Sequence, residues 1–187
     1  MKKYQPQTFD DFDQEHYHID LIKMFIKMNS LNLLIIGNNG SGRTTLIDTI
    51  IREYYQKTKI PYDNVLHINN VDEQGIRYYR TNVKTFCQTA SNVPGKKKML
   101  ILDDIDMIND QSQQVFRNFI DKYSDNVNFL ASCSNNQKVI DSIQSRCSIV
   151  KINPTTDAIM DMIYERIICE ENLDIWLPSR LHAELHR

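Results

Sequence analysis

A glycine-rich segment between an apolar run and a helical pattern constrains this chain most. The segment reads GNNGSGRTT, residues 37–45, and it follows the apolar residues 33–36. The chain has only five glycines, and three of them, Gly37, Gly40 and Gly42, lie within this segment. Glycine suits positions where the backbone must adopt conformations that other residues avoid. The segment predicts a phosphate-binding loop between a strand and a helix, with a plain glycine turn as the alternative.

The loop matches the pattern G-x-x-x-x-G-K-[ST] except that Arg43 stands where lysine is expected. Arginine keeps the positive charge, but its planar guanidinium is bulkier than an ammonium, so this replacement is not conservative. Phosphate binding is therefore predicted, while transfer of a γ-phosphate is left open. Thr44 offers the hydroxyl that would ligate Mg²⁺.

Three carboxylates, Asp103, Asp104 and Asp106, follow the apolar run at residues 99–102. Acidic residues directly after an apolar strand are typical of a Walker B element. We expect Asp103 to hold Mg²⁺, directly or through water, and Asp104 to polarise an attacking water. Many such ATPases have glutamate at the second position. Asp104 is one methylene shorter, so the water or the strand must shift for Asp104 to act as the base. An acidic loop that caps the next helix is the alternative.

Short apolar runs alternate with amphipathic patterns along the chain. Runs apolar on both faces suit central parallel strands, and the alternation predicts an α/β fold with a mainly parallel sheet. The runs are 33–36, 65–68, 99–102, 129–133 and 148–152. Pro154 follows the last run, and Thr155 or Thr156 is a candidate cap for a further helix.

Composition excludes several classes of protein. The 22 Lys and Arg residues against 24 Asp and Glu residues give a net charge of −2, which excludes coating of nucleic acid by bulk charge. No apolar run approaches the roughly 20 residues of a membrane span, and no apolar segment follows the two N-terminal lysines, so neither a membrane anchor nor a secretory signal is expected. The four cysteines form no C-x-x-C pair and are predicted to be buried, reduced thiols, with zinc ligation or disulfides as the alternatives.

Four further segments resemble the small subunits of replication factor C, the AAA+ clamp loader, in the order and near the spacing of that family. They read KYQPQTFDDF at 3–12, INNVDEQGI at 68–76, QQVFRNFIDKYSDNVNF at 113–129 and KVIDSIQSRC at 138–147. The family segments read KYRP, LNASDERGI, QNALRRxMEKYxxNxRF and KIIxxIQSRC. The resemblance covers about residues 2–170.

The resemblance implies a P-loop AAA+ core with a parallel five-stranded sheet flanked by helices. It implies a nucleotide-binding domain over residues 1–153 and a partial helical lid over 154–187, without the collar domain that follows in the family. ATP and Mg²⁺ are the implied cofactors.

The resemblance also implies roles for individual residues. Tyr4 and Pro6 would border the adenine. Arg146 would be the arginine finger that reaches the ATP of a neighbouring subunit, with a surface arginine as the alternative. Ser134 falls where the family has its sensor asparagine. The residues that would hold the phosphates are Gly37, Gly40, Ser41, Gly42, Arg43, Thr44 and Thr45.

A basic helical face adds a candidate DNA contact. Arg77, Arg80 and Lys84 are spaced by three and four residues, so they share one face of a helix. Arg80 and Lys84 match basic positions that contact the duplex backbone in the family, and an ordinary solvated face is the alternative. The implied partners are other clamp-loader subunits, a sliding clamp and the primer–template backbone. The implied location is intracellular, at the site of replication in a nucleus or a viral replication compartment.

Two functions stay open at this point. The chain is either an ATP-binding clamp-loader subunit or a hydrolysis-deficient AAA+ scaffold subunit that donates an arginine finger. Departures from the family at Gln5, Arg43, Asp104 and Ser134 favour slow hydrolysis. An unrelated P-loop phosphotransferase, such as a small nucleoside kinase, leaves the SRC segment at 145–147 unexplained.

Overall fold

Five parallel strands form the centre of the fold. The computed structural model describes residues 4–12, 18–56, 61–68, 79–153 and 157–171. The strand order is β2-β3-β4-β1-β5, and every neighbouring pair is parallel, which confirms the predicted sheet. The strands are β1 Leu33–Ile36, β2 Val65–Ile68, β3 Lys98–Leu102, β4 Val127–Cys133 and β5 Ser148–Lys151.

Helices connect the strands. They are α1 Ile19–Lys27, α2 Arg43–Tyr55, α3 Lys84–Gln88, α4 Asp110–Tyr123, α5 Asp141–Gln144 and α6 Asp157–Glu171. One π-helical turn, Tyr79–Val83, leads into α3. Asn109 caps the start of α4, and its side chain accepts a hydrogen bond from the Ser112 N–H at 2.9 Å. Within the described residues no helix is long and apolar enough to cross a membrane.

Side chains of the strands alternate between two apolar clusters, one on each face of the sheet. Leu33 and Ile35 belong to the cluster that contains Leu46 of α2, whereas Leu34 belongs to the cluster that contains Phe116 of α4. Successive residues of a strand point to opposite faces, so covering both faces with helices requires apolar residues at consecutive positions. This explains why the strand sequences are apolar without alternation.

Two strands begin earlier than their apolar runs because they contain buried polar residues. β3 starts at Lys98, whose ammonium donates to the Thr89 hydroxyl and lies 4.5 Å from the centre of the Phe86 ring. β4 starts at Val127, and the buried Asn128 side chain accepts the Leu31 N–H at 3.1 Å. Once hydrogen-bonded, such polar groups fit inside a sheet, and a count of apolar residues misses them.

All four cysteines are free thiols. Cys87 and Cys133 are buried and Cys147 is half-buried, and burial raises the pKa of each of these three thiols to about 12. Cys169 is exposed, so the prediction of a buried thiol is wrong there. It lies near the end of α6, outside the two clusters that cover the sheet.

The chain divides into two compact units. One unit is Pro6–Pro154, and the other contains Met1–Gln5 with Thr155–Arg187. The first unit holds the whole sheet. In the second, the structure describes α6, as the helical pattern after Pro154 predicts, while the candidate caps Thr155 and Thr156 lie outside the described residues. A partial lid over 154–187 stays a prediction.

Strand register brings the ends of β1, β3 and β4 to one edge of the sheet. Ile36 pairs with Cys133 of β4 and with Lys151 of β5, and Leu102 of β3 pairs with Ala131 of β4. The residues that follow these strands therefore meet at the carboxyl edge. Ligands of open α/β sheets bind in the crevice at this edge.

A buried glutamine ties this edge to α4. Gln113 is fully buried, and its amide donates to the carbonyl oxygens of Ile105, Ile108 and Lys138 at 3.3, 3.1 and 2.8 Å. Its side-chain oxygen accepts the Ile140 N–H at 2.9 Å. One side chain thus forms hydrogen bonds with backbone groups of both the loop after β3 and the loop after β4.

We expect Gln113→Leu to lower the free energy of unfolding by about 3 kcal/mol, because several buried backbone groups lose their partner at once. Urea unfolding followed by circular dichroism measures this change. Gln114→Leu is the matched control, since its neighbour Gln114 is exposed. Equal, small effects of the two substitutions would contradict the role of Gln113.

Candidate phosphate-binding site

The glycine loop begins as a continuation of β1. The Gly37 N–H donates to the Cys133 carbonyl at 3.1 Å, which extends the β1–β4 ladder by one residue. A Cβ at Gly37 would lie 2.5 Å from Ser41 Oγ and 3.3 Å from the Ile152 side chain. Ser41 is itself buried, so a side chain at position 37 would displace the loop. Position 37 therefore requires glycine, because Ser41 lies too close to leave room for a Cβ atom.

Two further glycines turn the loop into α2. Gly40 and Gly42 have φ of +81° and +86°, the left-handed region that glycine adopts without strain. The Gly42 carbonyl accepts the Leu46 N–H at 2.9 Å and so begins the helix. The first N–H groups of a helix have no partner within it and carry partial positive charge, which attracts anions. Thr44, in this first turn, is exposed.

Arg43 is the first residue of α2, and its side chain is only 10% exposed. Its Nη2 donates to Asn39 Oδ1 at 3.1 Å and lies 2.9 Å from Asp104 Oδ1. Its Nη1 is buried and has no hydrogen-bond partner in the described part of the chain. The loop cation is thus paired directly with the carboxylate that sequence analysis assigned to water activation.

Ser132 of β4 organises the acidic residues after β3. Its hydroxyl donates to Asp103 Oδ1 at 2.9 Å and accepts the Asp104 N–H at 3.1 Å. Burial raises the pKa of Asp103, and the hydrogen bond from Ser132 opposes that rise. Asp104 has φ of +51°, a left-handed conformation that is uncommon outside glycine. Its side chain is 55% exposed.

Ser134 contacts the third carboxylate, Asp106. Asp106 is buried, and its Oδ2 accepts the Ser134 hydroxyl at 2.7 Å and the N–H groups of Ser134 and Asn135 at 3.2 and 2.9 Å. Burial favours the neutral acid, but these hydrogen bonds outweigh burial and lower the pKa of Asp106. The predicted sensor position therefore lies at the carboxyl edge, and its hydroxyl is held by Asp106.

Arg146 follows α5 and contacts α4 rather than the phosphate loop. Its Nε pairs with Asp121 of α4, and its Nη1 donates to the Ser142 carbonyl at 2.7 Å and to Ser145 Oγ at 3.4 Å. The hydrogen bond from Arg146 lowers the pKa of Asp121, which also lies 3.3 Å from Arg117. The Arg146 side chain is 30% exposed. A role at its own phosphate loop has no support in these contacts, and a role in trans stays a prediction.

The remaining candidate residues are placed only in part. The Pro6 carbonyl accepts from Thr49 Oγ1 at 3.3 Å and Arg52 Nη1 at 3.4 Å, so this segment lies along α2. Tyr4 belongs to the other compact unit, and the adenine contact stays a prediction. Lys84 is exposed at the start of α3, whereas the side chain of Arg80 lies outside the described part of the structure.

The oxygen ligands at this edge suit a magnesium ion. The described residues contain no cluster of three or more His, Cys, Asp or Glu side chains that could hold a metal. Mg²⁺ at phosphate sites does not need such a cluster, because one or two protein oxygens and the substrate phosphates suffice. Thr44 and Asp103 fit this ligand set.

The chain belongs to the AAA domain family. A sequence profile described as AAA domain matches residues 29–156, which contain the sheet, the glycine loop and the strand-end carboxylates. Solved AAA+ structures share the fold. The TM-score is 0.68 with RuvB of Thermotoga maritima, at 14% identity over 90% of this chain and 55% of that one. It is 0.62 with the DNA polymerase III gamma subunit-related protein of the same organism, at 19% identity over 77% of this chain and 49% of that one.

Within the family, the sequence is similar to replication factor C small subunits, which confirms the resemblance. It is 32% identical over 176 residues to the replication factor C small subunit of Natronomonas pharaonis, which covers 94% of this chain and 53% of that protein. It is also 32% identical over 176 residues to replication factor C subunit 5 of Mus musculus, over 94% and 52% respectively. The chain spans about half the length of the curated relatives that it matches.

The predictions from the sequence did not include three contacts of the candidate residues. Ser132, Asn39 and Asp121 hold Asp103, Arg43 and Arg146 respectively. Ser132 is 29 residues from Asp103, and Asp121 is 25 residues from Arg146, so no local spacing links either pair. Asn39 does lie four residues from Arg43, within the loop. The two asparagines of GNNG could have drawn attention to this contact.

Ser134→Ala is expected to destabilise the protein in a pH-dependent manner. The hydrogen bonds to Asp106 lower its pKa below the ordinary 3.8, so they stabilise the folded state while the carboxylate is ionised. The loss should be about 1 kcal/mol at pH 7 and should shrink as the pH falls below 3.8, where unfolded Asp106 takes up its proton.

Urea unfolding at a series of pH values measures this effect. Ser145→Ala, at an exposed serine near Arg146, is the control. A difference between wild type and Ser134→Ala that stays constant across the acidic range would rule out the proposed link to Asp106.

Proposed function

We propose that this chain is an ATP-binding subunit of a DNA-replication clamp loader that helps to place a sliding clamp on primed DNA. One observation carries the proposal: β1 and the glycine loop bring Arg43, and β3 brings the Asp103–Asp104 pair, to the same edge of a parallel sheet. The replication factor C small subunits that match nearly the whole chain support the replication role. An AAA+ neighbour of similar fold, DnaA of Aquifex aeolicus, is described as bound to AMPPCP, which supports ATP as the ligand.

Within this proposal each group has a defined task. The N–H groups of residues 40–45 bind the phosphates, and Arg43 supplies positive charge. Thr44 and Asp103 hold Mg²⁺, which when bound neutralises charge on the phosphates. Arg80 and Lys84 contact the phosphates of primer–template DNA, which reads backbone position rather than sequence.

One contact at the phosphate loop supports a second candidate function. Hydrolysis would use Arg43 on the γ-phosphate and Asp104 on the attacking water, yet these two side chains are paired with each other at 2.9 Å. This contact supports the alternative of a hydrolysis-deficient AAA+ scaffold subunit that binds partners and donates Arg146 to a neighbour. The two functions differ in the fate of the bound ATP.

Gly42→Val should abolish binding of Mg-ATP or weaken it at least tenfold. A β-branched residue is strained at a φ of +86°, and its side chain would obstruct the approach of phosphate to the loop. Isothermal titration calorimetry measures the affinity. Gly95→Val is the matched control, because Gly95 also has a positive φ of +73° but lies in the loop before β3. Equal affinities for wild type and Gly42→Val would exclude the loop as the phosphate site.

The pair Arg43→Lys and Asp104→Glu, made together, should raise ATP turnover at least several-fold. The ammonium is compact enough to engage the γ-phosphate, and the longer carboxylate reaches the attacking water. Turnover is measured with the isolated chain and with candidate partner subunits plus primed DNA. If the double variant is no faster than wild type, the low activity has a cause outside these two residues.

Arg146→Ala should slow ATP hydrolysis at the site of a neighbouring subunit in the assembled complex. Fingers supplied in trans reach 10³–10⁵ in rate in GTPases, and we expect a smaller factor, of about 10, here. The affinity of the chain for its own nucleotide should stay unchanged, because no contact of Arg146 involves its own phosphate loop.

Arg146→Lys separates charge from geometry, since lysine keeps the charge and lacks the planar fork. We expect it to be nearly as slow as Arg146→Ala. A weaker affinity of the isolated chain for nucleotide, together with unchanged hydrolysis in the complex, would show that Arg146 acts in cis.

A further inference from the structure

The ion pair between Arg43 and Asp104 joins two positions at which this chain departs from the usual residues of its family. Arg43 opens α2, and Asp104 is the second residue after β3. The Arg43 Nη2 atom has two acceptors, Asp104 Oδ1 at 2.9 Å and Asn39 Oδ1 at 3.1 Å. Both acceptors bind the same nitrogen, so one half of the guanidinium is fixed within the protein.

The other half of the guanidinium is free to bind a ligand. Nη1 is buried and has no acceptor among the described residues, although nine-tenths of the side chain is removed from solvent. A buried charged donor without an acceptor is costly, and an anionic oxygen satisfies it best. Arg43 is the first residue of α2 and directly follows the glycine loop, where backbone N–H groups and the helix N-terminus attract phosphate. Nη1 is therefore a donor suited to a phosphate oxygen.

Asp104 is held in a way that suits contact with Arg43. Its backbone is left-handed, and its N–H is bound by the Ser132 hydroxyl at 3.1 Å, so the carboxylate extends from a fixed backbone. The Asp104 Oδ1 atom lies 2.9 Å from the guanidinium of Arg43, so this oxygen is directed at the loop arginine rather than at an attacking water. The pairing thus gives Asp104 a task that differs from activation of water.

We propose that Asp104 and Asn39 are positioning residues for Arg43: they hold Nη2 and leave Nη1 to bind a phosphate oxygen of the nucleotide. This inference rests on the proposed nucleotide-binding function. In this proposal Arg43 and Asp104 act together. The arginine in place of the loop lysine needs the aspartate after β3 to hold it, and the aspartate has this role only because the loop residue is arginine.

Nucleotide affinity in four variants tests this coupling by calorimetry with Mg-ADP, which requires no hydrolysis. The proteins are wild type, Arg43→Gln, Asp104→Asn and the double variant. We expect Asp104→Asn to weaken binding about fivefold when Arg43 is present and not to weaken it in the Arg43→Gln background. Asp104→Asn also removes a negative charge near the phosphates, but this changes the affinity equally whether residue 43 is arginine or glutamine. A loss of affinity that occurs only with Arg43 therefore reports the positioning of Arg43 by Asp104.

Asn39→Ala is a second variant, which leaves the charge of the site unchanged. Asn39 is exposed, so we expect the variant to fold. It should weaken binding about threefold, whereas Asn118→Ala, at an exposed asparagine of α4 outside the glycine loop, should leave the affinity within twofold of wild type. Equal effects of Asp104→Asn in the two backgrounds would overturn the inference. Tighter binding confined to the Arg43 background would also overturn it, because Asp104 would then restrain Arg43 from phosphate. Absence of any nucleotide binding by wild type would overturn the proposed function as well.

Discussion

Parallel pairing of β1 between β4 and β5 is the constraint on which the site depends. The register sets Ile36 beside Cys133, and the next residue, Gly37, donates to the same strand. Because β3 pairs with β4 in the same direction, the acidic residues after Leu102 reach the edge where the glycine loop leaves β1. Helices on both faces stabilise this arrangement by burying apolar residues at consecutive strand positions.

Specific contacts hold the charged side chains at the carboxyl edge. Ser132 holds Asp103, three donors hold Asp106, and Arg43 pairs with Asp104. Each contact joins residues from different strands or loops, so the polar network also fixes the relative positions of the elements. Nη1 of Arg43 is buried and has no hydrogen-bond partner among the described residues, and a nucleotide phosphate would supply one.

Much of the fold could be predicted from the sequence, because its signals are local. β1 and β2 coincide with their apolar runs, and α2 and α4 lie between strands, as the alternation of apolar runs and amphipathic patterns predicts. The starts of β3 and β4 could not be predicted, since Lys98 and Asn128 are buried through hydrogen bonds made far along the chain. The same limit applies to the site. The glycine loop and the acidic residues are visible in sequence, whereas the contact between Arg43 and Asp104 exists only once β1 and β3 share an edge.

A structure of the chain with Mg²⁺ and a non-hydrolysable ATP analogue tests most directly whether the glycine loop and Arg43 bind the phosphates. The expected result is that residues 37–45 enclose the β- and γ-phosphates, with Arg43 Nη1 within hydrogen-bond distance of a phosphate oxygen and Nη2 still bound to Asp104. A nucleotide bound elsewhere, or an Arg43 side chain that leaves Asp104 and points away from the phosphates, would contradict it.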